Sequence, residues 1–187
     1  MLAFSRKYES GVSLIEVLIT VSILAFGLLG IAALQTSAVA NTYTSYQYGQ
    51  AAVLAQSMLE KLRANRTATL AGSYNLSSST VPSSPSKDCS TATTAACTPT
   101  ELAAWDLAVW YSMIATTSSS YSNIPSGPLA SLPSGKTSIT CQDATCVDSS
   151  VRLITIYWDA NRNGATGTGC DPTSSTDLDC FRLAYVP

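Results

Sequence analysis

The chain contains no histidine, and only 12% of its 187 residues are charged, about half the ~25% of an average soluble domain. Without His, the Ser-His-Asp and Cys-His nucleophiles, HExxH zinc, His-ligated haem and His general-base catalysis are excluded. Positive charge is also scarce. Ten Lys and Arg stand against twelve Asp and Glu, for a net charge of −2 and a pI near 4.9. That balance argues against a nucleic-acid coat. Arg152, Arg162 and Arg182 lie among Asp residues, so no nucleic-acid partner is expected. The length suits one domain, or one domain plus an appendage.

The missing charges have an address. Between Glu9 and Glu60 the only charged side chain is Glu16. Val12–Leu34 reads VSLIEVLITVSILAFGLLGIAAL, and from Val17 to Leu34 there are 18 residues without a charge, close to the ~20 that cross a bilayer as a helix. Arg6 and Lys7 just ahead of it favour retention of that end in the cytoplasm. Three readings compete: a plain membrane anchor, a signal cut just ahead of the apolar run, and a secretory signal cut after Ala40 in Ala38-Val39-Ala40, which would release an adhesin. The apolar core is longer than the usual 7–15 residues of a secretory signal.

The run Arg6-Lys7-Tyr8-Glu9-Ser10-Gly11, followed by Val12-Ser13-Leu14-Ile15-Glu16, resembles the processing motif of type IV pilins and type II secretion pseudopilins. The resemblance implies that prepilin peptidase, a membrane aspartic peptidase, cuts between Gly11 and Val12 and methylates the new N-terminus. The family usually has Phe where this chain has Val12. A lone carboxylate in a membrane segment is expensive and marks a functional candidate. By resemblance, Glu16 pairs with the terminal amine of a neighbouring subunit during assembly. Glu16-Val17-Leu18, Gly27-Leu28-Leu29-Gly30-Ile31-Ala32, Leu34-Gln35 and the segment Ala55–Asn65 are similar to PilV-type minor pilins. So are Leu132-Pro133-Ser134-Gly135 leading into Ile139 and Cys141, the strand ending at Trp158, and Cys180-Phe181-Arg182-Leu183.

Beyond Leu34 the apolar character becomes one-sided. Tyr48, Ala52, Ala55, Leu59 and Leu62 recur at helical spacing, and Lys61, Arg63 and Arg66 gather where cations complement a helix C-terminus. One helix is expected from Val12 to about Arg66, with a Ser/Thr-rich loop over residues 67–98. Thr98, Pro99 and Glu101 form a capping-box signature. It opens an amphipathic helix over 98–115, with Leu102, Trp105, Val109 and Met113 on its apolar face. Thr116–Ser134 reads as loop. Lys136–Cys141, Val151–Trp158 and Cys180–Val186 read as strands. The expected fold is α+β: a long N-terminal helix, membrane-spanning in its first half, packed on a small antiparallel sheet head with one extra helix. The expected divisions are a leader (1–11), the long helix (12–66, with 12–34 in the membrane) and a disulfide-bonded head (67–187).

All six cysteines follow the apolar segment, a distribution that suits disulfides in an oxidising compartment. Fifteen pairings are open, and the local grouping favours Cys89–Cys97, Cys141–Cys146 and Cys170–Cys180. No pair has CxxC spacing, which argues against zinc. Asp159-Ala160-Asn161-Arg162-Asn163-Gly164 matches the start of a calcium loop. Asp159, Asn161 and Asn163 are the candidate ligands, with an ion-free Asn-Gly turn as the alternative; the twelfth loop position is Cys170 rather than Glu. Calcium is the only cofactor the sequence suggests.

No catalytic constellation stands out, since Lys61, Lys87 and Lys136 sit in no nucleophile motif; the protein is not expected to be an enzyme. The resemblance implies a minor pilin in the priming or tip complex of a type IV pilus, supporting biogenesis, adhesion and twitching motility. A type II secretion pseudopilin is the alternative. The implied partners are prepilin peptidase, other minor and major pilins, the assembly machinery and the inner membrane. The implied location is the inner membrane with the head in the periplasm, then the extracellular pilus.

Overall fold

The computed structural model describes residues 11–90, 96–115, 121, 124, 132–143, 146–171 and 173–187. The leader up to Ser10 and most of the expected Thr116–Ser134 loop lie outside the described residues. Helix α1 spans Leu14–Ala64, α2 Arg66–Leu70 and α3 Pro99–Ile114; strands follow at Lys136–Cys141 (β1), Arg152–Trp158 (β2) and Asp179–Tyr185 (β3). Contacts divide the chain into two compact units, Met1–Tyr43 and Thr44–Pro187.

In the first unit, α1 starts where the Ser13 carbonyl accepts the Glu16 and Val17 amides at 3.0 and 3.3 Å. From Leu14 to Leu34 the large apolar side chains are exposed, Leu14 by 90%, and none of the apolar window is buried. Hydroxyls here return to their own helix: Thr20 donates to Val17 O and Ser22 to Leu18 O, each at 2.8 Å, and Thr36 to Ala32 O at 3.0 Å. Internal satisfaction of these polar groups is what an apolar solvent demands. The whole helix has 51 residues, about 77 Å at roughly 1.5 Å per residue.

In the second unit, α1 buries Gln47, Ala51, Ala55, Met58, Leu59 and Leu62. The expected face was rotated at its start: Tyr48 is 38% exposed and Ala52 half-buried. Tyr48 covers the core margin, with its ring edge-on to Trp158 at 4.8 Å. The expected single helix to Arg66 also breaks at Asn65, whose φ and ψ of −112° and 57° are non-helical. Its side chain donates to Pro99 O at 2.7 Å and Tyr74 Oη at 3.2 Å. The expected 67–98 loop therefore begins as α2, which ends at Leu70 and is followed by Gly72 with φ +76°.

Helix α3 carries the full capping box on Thr98 and Glu101, with Pro99 in the first turn. Its core face is Ala103, Leu107, Trp110 and Ile114. Leu102, Val109 and Met113 are only half-buried, so the expected stripe was out of phase. Trp110 helps to tie α3 to α1, donating from Nε1 to Leu54 O at 2.9 Å.

The sheet is an antiparallel meander in the order β1-β2-β3. Rows Ile139–Ile154–Leu183 and Thr137–Ile156–Phe181 face the helices. On the other face, Tyr157 is covered by Ala165, Leu178 and the Cys170 and Cys180 side chains. This is why β2 reads as a nearly continuous buried run instead of a clean alternation. Leu76 extends the sheet beyond β1, exchanging two backbone bonds with Ile139 at 2.9 and 2.8 Å.

Candidate functional site

The candidate assembly site is the start of α1. Gly11, Val12 and Glu16 are exposed, and no described atom comes within 4 Å of a Cβ built on Gly11. Glu16 sits in the first helical turn, where a carboxylate is favoured by the positive end of the helix dipole. Val12 lies four residues earlier, just ahead of the helix. Arg6, Lys7 and the rest of the motif before Gly11 lie outside the described residues. Gly27 and Gly30 face open space, leaving room for another backbone to approach.

In the head, disulfides join Cys89 to Cys97, Cys141 to Cys146 and Cys170 to Cys180. Each closes a short loop, and the third fastens the 159–178 segment to β3.

That segment contains the Asp159 motif. The carboxylate of Asp159 is buried and accepts the Asn163 amide at 3.1 Å on Oδ1 and the Gly164 amide at 2.8 Å on Oδ2. Asn163 Oδ1 accepts the Ala165 amide at 3.0 Å, and its Nδ2 donates to Ser175 O at 3.0 Å. Arg162 and Gly164 take positive φ values of 53° and 83°. Asn161 is exposed. No three Cys, Asp or Glu side chains cluster as metal ligands among the described residues, whereas calcium sites gather several oxygens with carboxylates among them. These oxygens are engaged by backbone amides of their own turn. These contacts are those of the Asn-Gly turn.

A buried polar network went unnoticed in the sequence. Asp106 on α3 pairs with Lys61 at the end of α1 and accepts Tyr74 Oη–H at 2.8 Å. Asn65 donates to Tyr74 in turn. Burial, then the hydrogen bond to Asp106, pushes the Tyr74 phenol well above its ordinary pKa. Nothing local marks these residues, because the partners lie 45 and 32 positions from Asp106.

Two clefts flank the 73–83 segment. One of about 440 Å³ is lined by Asn75, Thr140 and Asp143 among others, and one of about 380 Å³ by Asn75, Pro82 and Leu107 among others. Among the described residues, Asp143 is the only ionisable one lining either.

Residues 6–32 match the family model of the prokaryotic N-terminal methylation motif, and residues 33–108 match that of Tt1218-like type IV pilins. No curated protein and no solved structure matches the chain. The two matched segments abut, the first covering the motif around Gly11 and Glu16 and the second running through α1 into α3. With its apolar, fully exposed helix half joined to an α+β head, the chain is a type IV pilin.

Proposed function

We propose that the protein is a minor pilin of a type IV pilus, cut after Gly11 and drawn into the filament through Val12 and Glu16. The observation that carries this reading is the contrast along α1. Its first half buries none of its large apolar side chains, while its second half is sealed into a head with its own core. A helix surface of this kind has two suitable environments: lipid before assembly and neighbouring apolar helices after it.

The chemistry at the end of the helix links the two states. Cleavage at the Gly11–Val12 peptide bond leaves an ammonium on Val12. An ammonium and a carboxylate 4 Å apart attract by about 4 kcal/mol at an effective dielectric of about 20. Pairing the Val12 ammonium of one subunit with Glu16 of another offsets the cost of taking both out of water. The pairing also sets the axial register between helices. The three disulfides require an oxidising compartment, and Arg6 and Lys7 favour a cytoplasmic leader. Together they support a head in the periplasm before assembly. The PilV-like segments favour a minor subunit in the priming or tip complex of a pilus involved in adhesion and motility, over a type II secretion pseudopilin.

N-terminal sequencing of the mature protein tests the processing step. Val12 as first residue is expected, and Asn41 would establish a secretory signal instead. Glu16→Ala should insert in the membrane normally yet fail to enter pili. Unchanged pilus number and composition in that variant would remove the assembly role of Glu16. Deletion of the gene should reduce piliation, and loss of secretion with pili intact would assign the chain to the secretion machine.

A further inference from the structure

Among the described residues, a few buried side-chain atoms lack a hydrogen-bond partner: on Gln47, Thr137, Trp158, Arg152 and Tyr185. Arg152 and Tyr185 differ from the rest in two ways. They stand directly opposite each other across β2 and β3, and Arg152 carries a charge that no protein environment removes. Arg152 is 1% exposed, and its one hydrogen bond runs from Nη1 to Asn75 Oδ1 at 3.3 Å. Its Nε and Nη2 are unpartnered, as is Tyr185 Oη. The neighbouring Thr69 hydroxyl donates to Leu62 O at 2.9 Å.

No ion pair reaches Arg152 among the described residues. The buried carboxylate of Asp106 is already held by Lys61 and Tyr74. Burial raises the Tyr185 phenol above its ordinary pKa, and the Arg152 charge works against that rise. An uncompensated buried guanidinium costs several kcal/mol. The unfilled groups here are N–H and O–H donors. Water can fill such positions only if its own protons find acceptors, whereas an anion accepts throughout and also cancels the charge.

We propose that Arg152 and Tyr185 form the donor half of a buried site in the head that takes one small monovalent anion. Asn75, the single partner of Arg152, lines both clefts beside the 73–83 segment, and Cys141, opposite Arg152 on β1, lines the larger. The guanidinium is therefore linked to the cleft wall through the Asn75 side chain. Asp143 at the larger cleft repels multiply charged anions, which restricts the site to ions such as chloride or formate.

The test is thermal unfolding of the full chain in detergent, with sodium chloride exchanged for sodium sulfate at constant ionic strength. Chloride should raise the Tm saturably, by about 3 °C or more at high occupancy. Sodium formate should do the same. The effect should vanish in Arg152→Met and weaken in Tyr185→Phe. Should Arg152→Met fail to fold, Tyr185→Phe and broadening of the chloride nuclear resonance by the wild-type chain carry the test. A flat wild-type response, or equal shifts in wild type and variants, would overturn the anion site and leave water as the occupant.

Discussion

Replacing Asp106 by alanine removes one acceptor from two donors, and the two donors respond differently. The Tyr74 hydroxyl is buried and keeps only an incoming bond from Asn65, so its own proton loses its acceptor at a cost of about 1–3 kcal/mol. The Lys61 side chain is 35% exposed and can turn toward water, adding less than about 1 kcal/mol. A small void where the carboxylate stood adds about another 1 kcal/mol, partly offset because a buried anion no longer has to be desolvated. The net loss is about 2–4 kcal/mol, which at roughly 2–4 °C per kcal/mol lowers the Tm by about 10 °C. Urea unfolding of the full chain in detergent, followed by the fluorescence of Trp105 and Trp110 on α3, measures it. Asp106→Asn retains an acceptor for Tyr74 and should cost less than the alanine. A double-mutant cycle with Tyr74→Phe should give a coupling of about 1–2 kcal/mol. A loss under 1 kcal/mol for Asp106→Ala, or no coupling to Tyr74, would refute the network as the clamp between α1 and α3.

Further outcomes are expected. Thr98→Ala should cost about 1 kcal/mol by removing the cap on α3, read by the same urea unfolding. Gly135→Ala should cost about 2 kcal/mol or more, because a Cβ there runs into the Ile114 backbone at the end of α3; Gly72→Ala, judged by the same assay, should be destabilising through its φ of +76° alone. Burial is the leading cause raising the Tyr74, Tyr121 and Tyr185 phenols, Tyr121 to about 12. A folded value above the unfolded 10.0 favours the neutral phenol, so that stabilisation is complete below pH 10 and drains away as pH rises through the folded values. The Tm should therefore fall above about pH 10, less steeply in Tyr121→Phe. Millimolar calcium should leave the Tm and the calorimetric baseline unchanged, since the Asp159 oxygens are engaged by the turn.

What could be read from the sequence divides along physical lines. The helix start, the capping box of α3 and the three strands are written in local chemistry: a charge-free run, Thr98-Pro99-Thr100-Glu101, and β-branched alternation. Each strand lies within a residue of where the pattern placed it. The phase of the helices was not local. Helical spacing puts Tyr48 on the apolar face, but its hydroxyl donates to Asp179 Oδ1 at 3.4 Å and its ring stays at the margin. The interior position goes to Gln47, one residue earlier. On α3, Trp105 and Trp110 are both buried, and five residues apart they cannot share one face of a helix. Only the position of α1 decides that Trp110 is the one that donates to Leu54 O. The same holds for the candidate sites. Glu16 was legible because a carboxylate in an apolar run is conspicuous anywhere. Asp106 and Arg152 were not, because a charged residue in a mixed segment looks solvated until tertiary structure removes the solvent. The charge deficit of the first half and the buried charges of the second thus follow one rule. Where this chain keeps a charge away from water, a partner must supply the complement, whether a side chain, an ion or another subunit.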